Sequence, residues 1–375
     1  GIFLGYFSNN NTIANNNVSN NDDGIRLYYS NNNIIANNTV SSNNYDGIFL
    51  EESNNNTIAN NNVSNNRYGI YLYHSNNNTI ANNTVSSNNE YGIFLGYFSN
   101  NNTIANNNVS NNDDGIRLYY SNNNIIANNT VSSNNYDGIF LEESNNNTIA
   151  NNTVSLNNYD GIHLVYSSNN TIANNNVSNN RYGIYLWHSS NNTIANNNVS
   201  NNDDGIRLYH SSNNTIANNN VSNNYDDGIY LLYSNSNTIY LNNFIDNVDQ
   251  VESYYSTNIW NSTIPITYTY NGKHFTNYLG NYWSDYAGND ENGDGIGDTP
   301  YSIDGDKDNY PLMERFENYI VTPAPNQPPI ANFTYSPEKP VVNQLVTFDA
   351  SSSYDPDGNI MNYEWDFGDG NITNT

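Results

Sequence analysis

The sequence contains no cysteine, which excludes disulfides and thiolate metal sites. Basic residues are scarce: nine Lys and Arg stand against 36 Asp and Glu, for a formal net charge of −27. That balance argues against nucleic acid and anionic membranes as partners and in favour of cations. No stretch is apolar enough to span a bilayer, and no signal peptide is present. Gly1 opens inside a repeat, so the expectation is a fragment or processed form of an exported protein. Helical periodicity is missing too. No window places apolar residues at i, i+3, i+4 and i+7, and the abundant asparagine is a poor helix former.

What the chain has instead is a repeat. A motif G-I-x-L begins at Gly1, Gly24, Gly47, Gly69, Gly92, Gly115, Gly138, Gly161, Gly183, Gly205 and Gly228, at intervals of 22 or 23 residues. Each copy is followed by an Asn-rich stretch such as Asn9–Asn21, NNNTIANNNVSNN. A fixed period in this range means a solenoid with one repeat per turn.

Alternation gives the faces. The x position reads Phe3, Arg26, Phe49, Tyr71, Phe94, Arg117, Phe140, His163, Tyr185, Arg207 and Tyr230. Arginines do not fit a narrow apolar core, so x points outward and the flanking Ile and Leu point inward. By the same logic Ile13 and Val18 face in, while Thr12, Ala14, Asn17 and Ser19 face out. Asparagine suits the bends because it tolerates left-handed backbone angles. Stacked on successive turns, inward Asn11, Asn16 and Asn21 and their counterparts form hydrogen-bonded ladders. The predicted fold is all-β: a right-handed parallel β-helix, on the order of 50 Å long at about 4.8 Å per turn.

The coil is predicted over 1–247, with residues 1–61 repeated identically at 92–152. Residues 248–320 form a C-terminal cap, which is needed because an open turn presents unpaired strand edges. Within it, Asp290, Asn292, Asp294 and Asp298 alternate around Gly295 like the ligands of an EF-hand-type loop, with Ile296 offering its carbonyl. The twelfth position is Tyr301 rather than Glu, so Asp304, Asp306 or Asp308 is expected to supply the missing carboxylate. The implied ion is a structural Ca²⁺. Residues 321–329 are a Pro-rich linker, and 330–375 read as part of a β-sandwich, too short for a complete one, with turns at Pro356–Gly358 and Gly368–Gly370.

Several outward features are candidates for chemistry. Asn10, Asn17, Asn37, Asn101 and Asn108 open N-x-S/T sequons and are candidate glycosylation sites, which together with the acidity suggests an extracellular surface. Phe49, Tyr71, Phe94, Phe140, Tyr185 and Tyr230, with Trp187 and Tyr209 two residues further along their rungs, form an aromatic face suited to glycans or to another rod. Asp113, Asp114, Asp137 and Asp160 gather near Arg117, and equivalent groups surround Arg26 (Asp22, Asp23, Asp46) and Arg207 (Asp203, Asp204, Asp226, Asp227). Paired carboxylates are acid–base material, but Asp before Gly is also ordinary turn chemistry. His188 and His210 share a column on adjacent turns and are a candidate transition-metal pair.

Three segments carry a resemblance. The rungs resemble the right-handed β-helix repeats of NosD-like, carbohydrate-binding and sugar-hydrolase proteins. Asn277–Met313, NYLGNYWSDYAGNDENGDGIGDTPYSIDGDKDNYPLM, resembles the C-terminal signature of NosD-like surface proteins of methanogenic archaea. Trp365–Gly370, WDFGDG, resembles the motif of a PKD domain, here truncated. The resemblance implies an exported cell-surface protein with a PKD spacer. The leading expectation is a non-enzymatic structural or adhesive rod that associates with copies of itself, end to end or laterally into a layer, sheath or filament, or with surface glycans. The alternatives are a polysaccharide lyase or hydrolase and a NosD-like metal-delivery protein.

Overall fold

The computed structural model describes residues 1–322, 328–356, 359–360, 362–367 and 372–374. The chain divides into two units, Gly1–Ile320 and Val321–Thr375. The first is a parallel β-helix whose three sheets hold 12, 11 and 12 strands. One sheet is built from G-I-x-L segments such as Asp46–Glu51, the second from T-I-A segments such as Thr57–Ala59, the third from N-V-S or T-V-S segments such as Asn62–Ser64. Ile25 pairs with Ile48 and Ile48 with Ile70, so each inward side chain meets its counterpart one turn away. Ile48, Leu50, Ile58 and Val63 are fully buried, and the same four positions fill the core of the inner turns. At about 1.5–3 kcal/mol per buried aliphatic side chain, a turn gains stability only when a neighbour covers it.

The corners follow from residue type. Asn15, Asn37 and Asn60 hold φ of 59°, 56° and 57°, a left-handed geometry that costs asparagine little. The glycine that opens each G-I-x-L has a different reason. A Cβ on Gly138 would lie 2.4 Å from Val154 Cγ1 and 2.7 Å from the carbonyl oxygen of Gly161, so the adjacent turns close only over a bare Cα.

Buried asparagines form the expected ladders. In one of them Asn83, Asn107, Asn129 and Asn152 each donate both the backbone N–H and the side-chain Nδ2 to the Oδ1 of the next asparagine, at 2.9–3.0 Å. Every asparagine thus presents donors to the next turn, and the final ones need an acceptor. The cap supplies it. Asn242 donates to Asn281, and Asn281 donates its backbone N–H to Asp308 Oδ2 at 2.8 Å. A second ladder ends where the Asn258 N–H meets Asp306 Oδ2 at 2.8 Å, and a third where Asn247 Nδ2 meets Gln250 Oε1 at 2.9 Å. The Ser253 N–H donates to Asp304 Oδ2 at 3.3 Å. Asp304, Asp306 and Asp308 therefore terminate the coil, and Asp308 uses both of its oxygens in doing so.

The coil also runs past residue 247. Asp249–Tyr254 adds a twelfth strand, with Val251 opposite Ile229 and Ser253 opposite Leu231. Gln250-Val-Glu-Ser253 takes the place of G-I-x-L there, which hides the turn from the repeat pattern. Beyond it, Trp260 and Trp283 are buried over the last turn, and Trp283 stacks on Phe244 with ring centroids 4.6 Å apart. Two hairpins, Ile266–Tyr270 with Lys273–Asn277 and Tyr301–Ile303 with Asp306–Asp308, belong to the cap.

In the second unit, Thr334–Ser336 pairs with Thr347–Asp349 and Glu364–Asp366 with Ile372–Asn374, both antiparallel. Trp365 contacts Phe333 and Phe348 at centroid distances of 5.6 Å. Linker residues 323–327 and the turn residues Asp357, Gly358 and Gly368–Gly370 lie outside the described residues. Among the described residues no helix is long and apolar enough to cross a membrane.

Candidate functional site

The outward side of the G-I-x-L sheet carries the reactive side chains. Position x and the residue before Gly project there, so each turn contributes one side chain to each of two adjacent columns. Where three consecutive turns read Asp before Gly (Asp114, Asp137 and Asp160), the columns border a groove of about 480 Å³ with Arg117, Phe140 and His163.

Arg117 is clamped. Its Nη1 lies 3.0 Å from Asp114 Oδ2 and its Nη2 2.8 Å from Glu142 Oε2, with the guanidinium over the Phe140 ring at 4.4 Å. Burial opposes its charge, but Tyr91, Asp114 and Glu142 outweigh burial and hold its pKa above the ordinary value. It is a fixed cation, not a base. Arg26, with Asp23 and Glu51, and Arg207, with Asp204, repeat the arrangement.

His163 replaces the aromatic or arginine found at x elsewhere. Its ring packs between Phe140 and Tyr185, with centroids 5.0 and 4.7 Å away. Its Nδ1 sits 3.0 Å from Asp137 Oδ2 and 3.3 Å from Asp160 Oδ2. Burial pulls the imidazole pKa down, but the bond to Asp137 and the charges of Asp137, Asp160 and Asp114 raise it overall. Burial pushes Asp160 up to about 7 against the opposing pull of His163, and burial with the neighbouring Asp137 charge raises Asp114 to about 6.

The same physics acts elsewhere on the wall. Burial and Asp23 raise Asp46 to about 7, and burial with Glu252 and Asp204 raises Asp227 to about 8. A carboxyl whose folded pKa exceeds its unfolded value near 3.8 binds its proton more tightly when folded. Its contribution is full below the unfolded pKa and is lost as pH rises through the folded one. The melting temperature in EDTA is therefore expected to fall by about 5 °C or more between pH 5 and pH 9. A flat profile over that window contradicts the burial of these carboxyls.

The predicted aromatic face is only half open. Phe49, Tyr71 and Phe94 stack at 4.9 and 4.8 Å, but Phe94 is buried, and Phe49, Tyr71, Phe140, Tyr185 and Tyr230 are half-buried against one another or under arginines, which leaves Phe3 on the first turn exposed. Trp187 is exposed and Tyr209 half-buried. The open aromatic surface lies one residue beyond the strand, at a left-handed corner. There Tyr166, His188, His210, Tyr233 and Tyr255 stack face to face, with successive centroids 5.0, 4.8, 4.9 and 5.1 Å apart. Tyr166, Tyr233 and Tyr255 are exposed. These rings recur at the fifth residue after Gly161, Gly183, Gly205 and Gly228, and after Gln250 in the last turn; of the five, only His188 and His210 were singled out in the sequence. His188 and His210 do meet as foreseen, but as parallel rings within the ridge, 2° apart in plane. Parallel rings set their nitrogens side by side instead of converging on one ion.

In the cap, the Asp290 carboxylate accepts the N–H groups of Gly293 and Gly295, both at 2.8 Å, Asp294 accepts that of Ile296 at 2.9 Å, and Asp298 that of Glu291 at 2.8 Å. Gly293 and Gly295 are left-handed at φ 72° and 88°. The sequon asparagines Asn10, Asn17, Asn37, Asn101 and Asn108 are all exposed.

The NosD family, described as periplasmic copper-binding protein, matches residues 1–100, 85–187 and 155–288. This chain belongs to the NosD family. A PKD domain matches residues 326–375. No curated protein matches the NosD-family chain in sequence. Solved structures share its fold. The Dettilon tailspike protein is 18% identical with a TM-score of 0.52, covering 66% of this chain and 61% of the tailspike chain. The A-module of the Azotobacter vinelandii mannuronan C-5 epimerase AlgE4 is 18% identical with a TM-score of 0.53, covering 68% and 78%. With no cysteine, thiolate ligation of the copper named in the family description is excluded in this chain.

Proposed function

We propose that this NosD-family chain is a carbohydrate-binding rod that works outside the cytoplasm. One observation carries the reading: the open stack Tyr166–His188–His210–Tyr233–Tyr255, a continuous aromatic edge that starts on the turn carrying His163. The open ring edges carry tyrosine hydroxyls and imidazole nitrogens that can hydrogen-bond sugar hydroxyls, and an exposed aromatic patch of this length marks an interaction surface. The periplasmic family and the glycan-related protein named among the structural neighbours support it. The charge of −27 selects against acidic polymers, so neutral or amino sugars are the expected ligands. A stiff rod holding glycan along one ridge, with a PKD spacer, is an adhesive element of a surface layer or sheath. Affinity electrophoresis against neutral, amino and uronic polysaccharides tests the reading. Retardation by the first two is expected to drop about tenfold or more in Tyr166→Ala/Tyr233→Ala, since each lost edge contact through a tyrosine hydroxyl contributes on the order of 1 kcal/mol. Retardation that is equal in wild type and variant sinks it.

A second reading is favoured by the groove itself, where Asp114 and Asp160 with raised pKa values stand ready as acids beside further carboxylates. Release of cleaved or altered sugar from a polysaccharide, lost in Asp114→Asn, is its test.

For the cap, the Asp290–Asp298 loop supports a structural Ca²⁺ held by Asp290, Asn292, Asp294, Asp298 and the Ile296 carbonyl. Millimolar Ca²⁺ is expected to raise the melting temperature by several degrees in wild type and not in Asp290→Ala. Identical responses of the two proteins remove calcium from the account.

A further inference from the structure

We infer that Asp137, Asp160 and His163 form a binding site for one divalent ion of the zinc class, opening onto the acidic groove. The inference is independent of the glycan reading. The three residues offer one imidazole nitrogen and two carboxylate oxygens within 4.8 Å of one another. His163 Nδ1 stands 3.0 Å from Asp137 Oδ2 and 3.3 Å from Asp160 Oδ2. Ligand atoms bound at about 2.0–2.2 Å around a tetrahedral or octahedral ion sit roughly 3–3.5 Å apart, so the imidazole already stands at that spacing from both carboxylates.

A hydrogen-bonded His–Asp pair alone does not account for the rest of the cluster. Asp160 is 5% exposed, yet its Oδ1 has no hydrogen-bond partner; the buried His163 Nε2 has none either. A buried carboxylate oxygen left unpaired is costly unless something compensates it. An ion that takes both Asp160 oxygens does so; His163 Nε2 points away from the Nδ1 side and takes no part in it. The surroundings also fix the ligands. Asp137 Oδ1 accepts the Asp160 N–H at 2.9 Å, Phe140 and Tyr185 sandwich the imidazole, and Arg117 keeps Asp114 engaged. Three protein ligands facing a groove leave a coordination position for water or a ligand oxygen.

The repeat contains its own control. The block 1–61 is identical to 92–152, and the turns that follow differ. Where the second copy continues to Asp160 and His163, the first continues to Tyr68 and Tyr71, with Asp46 in the place of Asp137. In the second copy the turn is one residue longer, and at the two outward positions Asp160 and His163 stand where the first copy has Tyr68 and Tyr71. An imidazole beside carboxylates prefers zinc-class ions over Ca²⁺, which takes oxygen ligands.

The test uses the full chain stripped of metal, with His188→Ala/His210→Ala as the background so that the ridge imidazoles do not compete. Zinc chloride titration by calorimetry, with native mass spectrometry for stoichiometry, is expected to show one tight equivalent that excess Ca²⁺ does not displace. Adding Asp160→Tyr/His163→Tyr, which writes the first copy's residues into the second, is expected to weaken that equivalent about 100-fold or more while circular dichroism stays unchanged. Zinc binding that persists in the folded double-tyrosine variant overturns the inference. So does displacement by Ca²⁺ at equal concentration, or the absence of any tight equivalent in the background protein.

Discussion

Asn107→Ala is expected to be among the most damaging single substitutions in the coil, lowering stability by roughly 3–5 kcal/mol. The side chain is buried and fully engaged. Its Nδ2 donates to the Ile80 carbonyl at 2.9 Å and to Asn129 Oδ1 at 3.0 Å, and its Oδ1 accepts the Asn83 N–H at 2.9 Å and Asn83 Nδ2 at 3.0 Å. Alanine strands a donor pair on one side and acceptors on the other, out of reach of water. Asn107→Asp is expected to be worse, because it sets an oxygen against two acceptors and buries a charge. Because turns support one another only through neighbours, thermal unfolding of either variant should lose cooperativity and split around the damaged rung. Equilibrium unfolding by circular dichroism measures both effects. A loss below about 1 kcal/mol contradicts the ladder as a source of stability.

Asp308→Ala is expected to open the C-terminal end of the coil. The carboxylate is wholly buried and accepts from the Asn281 N–H at 2.8 Å, the Trp283 Nε1–H at 3.0 Å and the Tyr310 N–H at 2.9 Å. Burial raises its pKa to about 6 even though these donors pull the other way. Removing it leaves donors unpaired, at about 1–3 kcal/mol each, and detaches the layer that carries Trp260 and Trp283. Hydrogen exchange should show lost protection at Asn242, Asn281 and Trp283 with the N-terminal turns unchanged. Protection at those residues equal to that of the wild type argues that the tryptophans alone hold the cap.

These two residues show where reading the chain succeeds and where it stops. Asn107 was legible: a polar residue at an inward position every turn has no partner except its own copy above and below. Asp308 was legible as an acid and misassigned in role. Alternating carboxylates near Asp290 suggested a common ion, while the contacts that employ Asp308 come from Asn281 and Trp283, which no local pattern joins to it. The turn at Gln250–Ser253 escaped for a related reason, since its place in the sheet rests on backbone pairing with Ile229 and Leu231 and not on motif letters.

The outward columns divide in the same way. Period and alternation alone specify which side chains line the core and which share a column, because a solenoid turns one-dimensional order into stacking. They do not specify how far each side chain stands clear of its neighbours. The Phe49–Tyr71–Phe94 column was read as an open face and is largely covered, while the Tyr166–Tyr255 ridge sits on a corner whose left-handed turn lifts it into solvent. His163 went unremarked as a candidate because a single odd residue in a repeat looks like noise. Only the distances to Asp137 and Asp160, set by strand register and side-chain burial, make it the centre of the groove.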